Sequence, residues 1–393
     1  MLKKYKLAVL ISHPIQYQAP LFKLLSNEAN IDLTVLYCSE WGLKTYFDEN
    51  FGQSVKWDIP LLDGYNYKFL KNISPSPNPS KFFGQVNPEI ISELKNGSYD
   101  AIWIHGWNSV TNWIAMLAAF QFKIPVLLRG ETNLLNESTG LKNNFKKLIL
   151  SNLFKKIRVF LSIGTANEVF YKTYGASEEK IFSVPYTVNN DFFISKANEL
   201  NPGKKNLKKK YSISADLPVI LFSGKLIEQK RPYDLLKAFE LISKEVECSL
   251  IFVGDGELRK DLEQYVLEKQ IKNTYFMGFR NQTELPEIYS MADIFVLPSR
   301  FEPWGLVVNE AMCLGLPIVV SDKVGAARDL IKDGVNGYIF PIGNIKSLSG
   351  YLKILMTDET KRIEFGQLSR ELINKWSYKE DISGIINCLK TLS

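Results

Sequence analysis

The sequence predicts two doubly wound α/β domains facing each other across a cleft. Three observations predict it. The length of 393 residues exceeds one ordinary core and suits two domains of about 150–200 residues. Short apolar runs alternate with helical patterns, an alternation that gives a parallel sheet covered on both faces. The alternation also stops once and restarts, around the polar stretch Lys196–Lys210, rich in Lys, Asn, Pro and Gly, which reads as a domain junction or a surface excursion.

In the first half, the strand candidates are Leu7–Ser12, Leu33–Tyr37, Ala101–His105, Val126–Arg129, Val159–Ser162 and Ile181–Ser183. Helical patterns lie between them at Ala19–Asn27, Asn112–Phe122 and Phe145–Phe154. The opening run Leu7 to Ile11 is too short for a leader, lacks a small-residue cleavage site and stops at Pro14, so it reads as a buried strand. In the second half, strands fit Val219–Ser223, Cys248–Val253, Thr274–Met277, Ile294–Leu297, Ile318–Ser321 and Gly337–Phe340. Helices fit Pro232–Lys244, Glu257–Lys269, Glu284–Ala292, Gly305–Leu314 and Ala326–Lys332, with a helical tail from about Asp358. The expected domains are 1–195 and 196–375, and a helix at about 376–393 is a candidate to pack back on the first.

Composition narrows the function. Hydrophobic residues at 46% and charged residues at 23% are ordinary globular usage, and no repeat of 20–50 residues stands out. A net charge of +6 falls short of a nucleic-acid binder's basic stripe and suits an anionic small ligand or an anionic membrane surface. Cys38, Cys248, Cys313 and Cys388 are far apart, with no CxxC, which suggests reduced thiols in a cytosolic protein rather than a disulfide framework or zinc site. His13 and His105 are the only histidines, so no histidine-based metal site is expected. No run of 18 apolar residues offers a membrane-spanning helix.

The most informative segment runs from Pro298 to Ser321. A strand ends at Leu297, a loop carries Glu302, Pro303, Trp304 and Gly305, and a helix follows with Glu310 in its second turn. Glu302 precedes the helix, so both carboxylates can face one pocket, and the free N–H groups near Gly305 and Leu306 form an anion site at the helix start. Acidic groups that accept from hydroxyls, beside a phosphate-binding helix start, suit a nucleotide sugar; two solvated glutamates are the plainer alternative. A second strand end delivers Gly224, Lys225 and Lys230, two cations able to clamp a diphosphate and neutralise it as it leaves. Val253-Gly-Asp-Gly-Glu257 and Met277-Gly-Phe-Arg-Asn-Gln282 are strand-end loops that would approach a nucleotide or serve as ordinary turns.

Together these segments resemble glycosyltransferase family 4, retaining enzymes of the GT-B fold with two Rossmann-like domains. The family's Gly-Arg-Leu strand end followed by lysine is Gly224-Lys225-Leu226 with Lys230; its Val-Gly-Asp-Gly turn is Val253–Gly256; its Pro-Ser-x-x-Glu-Pro-x-Gly-Leu-x-x-x-Glu-Ala-Met block is Pro298–Met312. The resemblance covers about Val219–Pro341 closely, and the first half only in layout. It implies that Glu302 holds donor-sugar hydroxyls, with backbone help from Trp304 and Gly305, and that Glu310 binds the ribose. Lys225 and Lys230 would bind the diphosphate with the amides of Leu306 and Val307, while Phe279 and Arg280 would sit near the base.

The sequence also departs from the pattern. Lys225 stands where arginine is usual, a point charge in place of a bidentate fork. Gly325-Ala-Ala-Arg-Asp329 replaces Gly-Gly-x-x-Glu, and Ser12-His-Pro-Ile-Gln-Tyr-Gln-Ala-Pro20 replaces the glycine pair of the first loop. In this layout His13 and Gln16 are acceptor-side or phosphate candidates, Glu131 an acceptor-side one, and His105 lies at a strand end where the family often carries a histidine near the reactive carbon.

The resemblance, with these residues, implies a retaining, metal-independent transfer of a hexose-type sugar, by front-face displacement, to a glycan or lipid-linked hydroxyl in cell-surface polysaccharide or glycoconjugate synthesis. The nucleotide-diphosphate sugar would be a co-substrate, with no further cofactor and no nucleic-acid partner. A nucleotide-sugar epimerase of the same fold and a non-catalytic nucleotide-sugar-binding subunit are the alternatives. The basic stretch 141–158 is a candidate for peripheral contact with the inner face of the cell membrane, or an ordinary domain helix with a lysine-rich face.

Overall fold

The computed structural model describes residues 3–48, 51–136 and 141–392. The chain forms two compact units: one of residues 1–46, 55–186 and 378–393, and one of residues 47–54 and 187–377. The side chains of 141–145, part of the basic stretch, lie outside the described part.

The first unit alternates β1 (Tyr5–Ile11), α1 (Ala19–Ser26) and β2 (Ile31–Tyr37). A hairpin follows, β3 (Tyr46–Asp48) and β4 (Gln53–Val55), whose residues 47–54 group with the second unit. Then come β5 (Asn66–Phe69), α2 (Glu89–Asn96), β6 (Ala101–His105), α3 (Val110–Gln121), β7 (Val126–Arg129), α4 (Leu141–Lys156), β8 (Val159–Ser162), α5 (Thr165–Thr173) and β9 (Ile181–Ser183). The strands form a parallel seven-stranded sheet in the order β5-β2-β1-β6-β7-β8-β9. Its strands are apolar on both faces because each face is covered: Ile102, Ile104 and Leu128 join one core with α2 to α5, while Val9, Trp103 and Leu161 join the other with α1. Helix starts are marked where a side chain replaces the missing acceptor, as at Ser109, which accepts from Asn112 N–H.

The second unit begins with α6 (Asn190–Leu200) and α7 (Lys204–Lys210). It continues with β10 (Val219–Ser223), α8 (Pro232–Ile242), β11 (Ser249–Val253), α9 (Arg259–Glu268), β12 (Thr274–Phe276), α10 (Leu285–Ser290), β13 (Ile294–Leu297), α11 (Leu306–Cys313), β14 (Ile318–Ser321), α12 (Ala327–Leu330), β15 (Gly337–Phe340), α13 (Ile345–Thr357) and α14 (Glu359–Ile373). Its six-stranded parallel sheet runs β12-β11-β10-β13-β14-β15. The chain then returns to the first unit as α15 (Tyr378–Lys390), whose Ile385, Cys388 and Leu389 enter the α1-side core.

The polar stretch Lys196–Lys210 is helical and belongs to the second unit; the chain passes between units at Tyr186–Thr187. Its lysines are not all solvated. Lys208 is buried and donates to Leu217 O at 2.7 Å, and Lys204 reaches the Asp293 carboxylate at 2.8 Å. The strands β3, β4 and β5 carry no apolar run; β5 is a largely exposed edge strand, so its residues show no buried face to read.

Both sheets reverse strand order once, between β1 and β6 in the first unit and between β10 and β13 in the second. In open α/β sheets ligands bind beyond the carboxyl ends of strands at such a reversal.

Candidate active site

In the second unit, the loops leaving β10 and β13 carry the charged residues. Lys225 follows β10 directly; Lys230 closes a 3-10 turn, and Arg231 with φ 52° then turns the chain into Pro232 of α8. Beyond β13, Glu302 is 6% exposed, its Oε1 bonded by Lys230 Nζ and by Ser299 Oγ, the latter at 2.9 Å. Backbone bonds hold this loop from two sides. Arg300 N–H donates to Gln229 O at 2.7 Å, while Glu302 N–H donates to Lys323 O at 3.0 Å and Gly325 N–H to Glu302 O at 3.1 Å. A carboxylate fixed this way needs little reorganisation to meet a ligand.

Gly305 caps α11 with φ 100°, and a Cβ there would lie 3.2 Å from Leu297 and 3.3 Å from Val324. The amides of Leu306 and Val307 that follow belong to the first helical turn, where N–H groups lack intrahelical acceptors and the helix end favours an anion. The Trp304 side chain is core: its Nε1 donates to Asn309 at 2.9 Å and its ring stacks on Trp376 at 5.5 Å, which leaves only backbone groups for a ligand. Glu310, 7% exposed, accepts from the Tyr289 hydroxyl at 2.9 Å. Burial pushes its carboxyl up to about 7, against the hydrogen bonds from Tyr289 and Gln282.

On the β10 side, Lys225 Nζ lies 3.1 and 3.2 Å from the two carboxylate oxygens of Asp48 and 4.7 Å from the centre of the Phe51 ring. Phe51 packs edge-on against Phe279 at 5.0 Å. Arg280 is committed to Glu284 at 3.1 Å and lies over the Tyr211 ring. Gly224 and the Val253–Gly256 turn meet backbone to backbone: Gly224 N–H donates to Val253 O at 2.9 Å, and Gly254 N–H to Gly278 O at 2.9 Å. Gly254 has φ 120°, and a Cβ there would stand 1.9 Å from Gly224 O. The turn's glycines therefore serve loop packing, and its Asp255 pairs with Arg259 at 2.7 Å.

In the first unit, His13 follows β1 and His105 ends β6. Ser12 Oγ lies 2.8 Å from His13 Nδ1, and burial pushes the His13 imidazole down to about 4. Gln16 is half-buried. The His105 ring stacks on Trp103 at 4.8 Å; burial, then the nearby Arg129 charge, holds its pKa well below the usual range. Its Nε2 is buried with no hydrogen-bond partner among the described residues. Arg129 itself is 2% exposed. It lies between the rings of Trp103 and Tyr186, donates to Pro185 O at 3.1 Å and faces Asp381 of α15 at 3.4 Å. Burial pushes Asp381 up to about 6 despite that cation. Glu131 is exposed and accepts from the Tyr186 hydroxyl at 2.6 Å, which also lies 2.8 Å from the Tyr17 hydroxyl.

The "Glycosyl transferases group 1" family model matches residues 203–372, the span that holds Lys225, Lys230, Glu302 and Glu310. An uncharacterised glycosyltransferase of Methanocaldococcus jannaschii is 24% identical over 86% of this chain and 88% of its own. The Escherichia coli UDP-Gal:alpha-D-GlcNAc-diphosphoundecaprenol alpha-1,3-galactosyltransferase is 26% identical over 93% of this chain and 90% of its own. Residues 203–372 form a group 1 glycosyltransferase domain. The fold of the chain is GT-B: the Anabaena HepE structure in complex with UDP superposes with a TM-score of 0.75 over 99% of this chain and 100% of that one, at 17% identity.

Within this glycosyltransferase the second unit brings Lys230, Glu302 and the start of α11 together and sets Glu310 in the second turn of that helix. It does not bring Arg280 to a free position. Sequence reasoning missed Tyr289 and Ser299, the partners of Glu310 and Glu302. Ser299 stood inside the quoted block and carried a signal; Tyr289, on α10, carried none. It also missed Asp48, Arg129 and Asp381, whose partners are remote in sequence. Among the described residues no three His, Cys, Asp or Glu side chains converge as a metal site, and no helix is long and apolar enough to cross a membrane.

Proposed function

We propose that this glycosyltransferase is a retaining, metal-independent hexosyltransferase that uses a nucleoside-diphosphate sugar and a glycan or lipid-linked acceptor hydroxyl, in cell-surface polysaccharide or glycoconjugate synthesis. One observation carries the reading: two lysines, a helix start and two buried glutamates are gathered at the strand reversal of the second unit. Lys225, Lys230 and the amides of Leu306 and Val307 hold the diphosphate and neutralise it as the anomeric C–O bond breaks. Glu302 accepts from the sugar hydroxyls and Glu310 from the ribose. Gly224 and Phe279 border the nucleotide, and Trp304 and Gly305 offer backbone groups. The leaving phosphate oxygen takes the acceptor's proton as the new C–O bond forms on the same face, so the configuration is kept.

In the first unit, burial keeps His105 neutral, and its free Nε2 offers a hydrogen bond to a sugar hydroxyl. His13, Gln16 and Glu131 serve the acceptor. UDP in the Anabaena structure and UDP-Gal in the E. coli enzyme's name make UDP-sugars the first donors to try, and the diphosphoundecaprenol of that name supports a lipid-linked acceptor. Exposed Leu148 and Ile149, with Lys147, Lys155 and Lys156 on α4, support peripheral contact with the inner membrane face, to be checked by flotation with anionic vesicles.

A thermal-shift screen of UDP-, GDP- and ADP-sugars identifies the donor, because a ligand bound only by the folded state raises the melting temperature. With that donor, Glu302→Gln lowers transfer by about 10²–10³-fold while the donor still raises the melting temperature. Near-normal turnover overturns the assignment. Activity that survives EDTA and an α-configured product from an α-configured donor test the metal and stereochemical parts.

A further inference from the structure

Resting on the donor-site reading above, we propose that Asp48 is a built-in competitor for the donor's diphosphate and sets how tightly the nucleotide is held. Its carboxylate presents two oxygens to Lys225 Nζ at 3.1 and 3.2 Å, the arrangement two phosphate oxygens would take. Both partners are largely shielded, with side chains 28% and 16% exposed, so the pair is less screened than a surface one.

Asp48 is also fixed in place rather than swinging freely. Its Oδ1 accepts from Phe51 N–H at 3.1 Å, and its carbonyl accepts from Gly52 N–H at 2.8 Å. Phe51 in turn packs edge-on against Phe279 and carries the Lys225 ammonium over its ring. One residue therefore places the aromatic beside the nucleotide loop and occupies the cation that the leaving group needs.

A diphosphate and a carboxylate cannot share one ammonium at contact distance without like-charge repulsion. Donor binding must open the Asp48–Lys225 pair, and apparent affinity drops by the fraction of molecules in which the pair is closed. Asp48 stays beside the bound diphosphate, and its repulsion speeds release as well. Lys225, rather than Lys230, is the target: the carboxylate paired with Lys230 is Glu302, which the sugar itself engages.

The test is UDP binding by isothermal titration, with GDP and ADP as further probes, and UDP dissociation by stopped flow. Asp48→Asn keeps an oxygen for Phe51 N–H but removes the charge; it is expected to bind the nucleotide about three- to tenfold more tightly and release it more slowly. Asp48→Ser should do the same, and Asp48→Glu should stay within about twofold of the parent. Unchanged or weaker binding by both neutral variants, beside a parent that binds, overturns the proposal and leaves the donor site standing. A parent that binds none of the three nucleotides overturns the donor site and this proposal with it.

Discussion

At the reversal between β10 and β13, the second unit sets lysines against carboxylates in loops pinned by backbone bonds. At the reversal between β1 and β6, the first unit sets two histidines that burial keeps neutral, and buries its arginine behind them. Under the proposed function, the difference follows the chemistry each end would handle. A leaving diphosphate develops negative charge and needs fixed cations and dipoles. A neutral hydroxyl needs hydrogen-bond partners without a field that would favour ions. In the second unit the lysines still reach solvent, with Lys225 and Lys230 side chains 28% and 19% exposed; in the first the charge is locked into the structure, where Arg129 and Asp381 side chains are 2% and 1% exposed.

The sharpest way to break this contrast is to unlock the buried charge. Arg129→Met strands Asp381 and should cost about 3–5 kcal/mol. Because burial has already raised Asp381 to about 6, that loss grows as pH rises through 6 and shrinks below it, where the carboxyl is protonated. Urea denaturation at pH 5 and pH 8 measures both, and Arg129→Met with Asp381→Asn should recover most of the loss. An equal loss at both pH values would show that Arg129 matters only for its packing.

A smaller effect tests the pinned loops. Gly254→Ala puts a Cβ against Gly224 O at a φ of 120°, and should cost about 1–3 kcal/mol and weaken donor binding together. Full stability with lost binding would place the turn against the nucleotide instead.

The mildest concerns Glu310. Burial pushes its carboxyl up to about 7, so in the proposed ribose-binding role it would accept as an anion above that pH and be increasingly protonated below it. Nucleotide-sugar affinity should fall about tenfold from pH 8 to pH 6, since only the ionised fraction binds fully. The fall should vanish in Glu310→Gln, and a fall that persists there assigns the titration to another group. A nucleotide sugar, rather than free UDP, is the ligand of choice because its diphosphate carries no proton in this range.

The same contrast explains what could be read in advance. Strands such as Val219–Ser223 were legible because apolar runs covered on both faces need no partner information. Glu302, Glu310 and the α11 start were legible because one loop and one helix carry them within a dozen residues. Arg129 and Asp381 are 252 positions apart, and Asp48 and Lys225 are 177 apart, so no local pattern links them. The lysines of 196–210 read as solvent-facing for the same reason: Asp293, which holds two of them, lies more than 80 positions away.

The placement of α15 has a consequence for how the protein is made. The first unit's sheet is complete by Ser183, yet Asp381, the carboxylate that faces Arg129, emerges from the ribosome only after residues 187–377. At translation rates of about 5–20 residues per second, that interval is on the order of ten seconds or longer. In that interval residues 187–377 of the second unit are synthesised, while the nascent first unit waits with the Arg129 guanidinium, beside Trp103, not yet paired with Asp381.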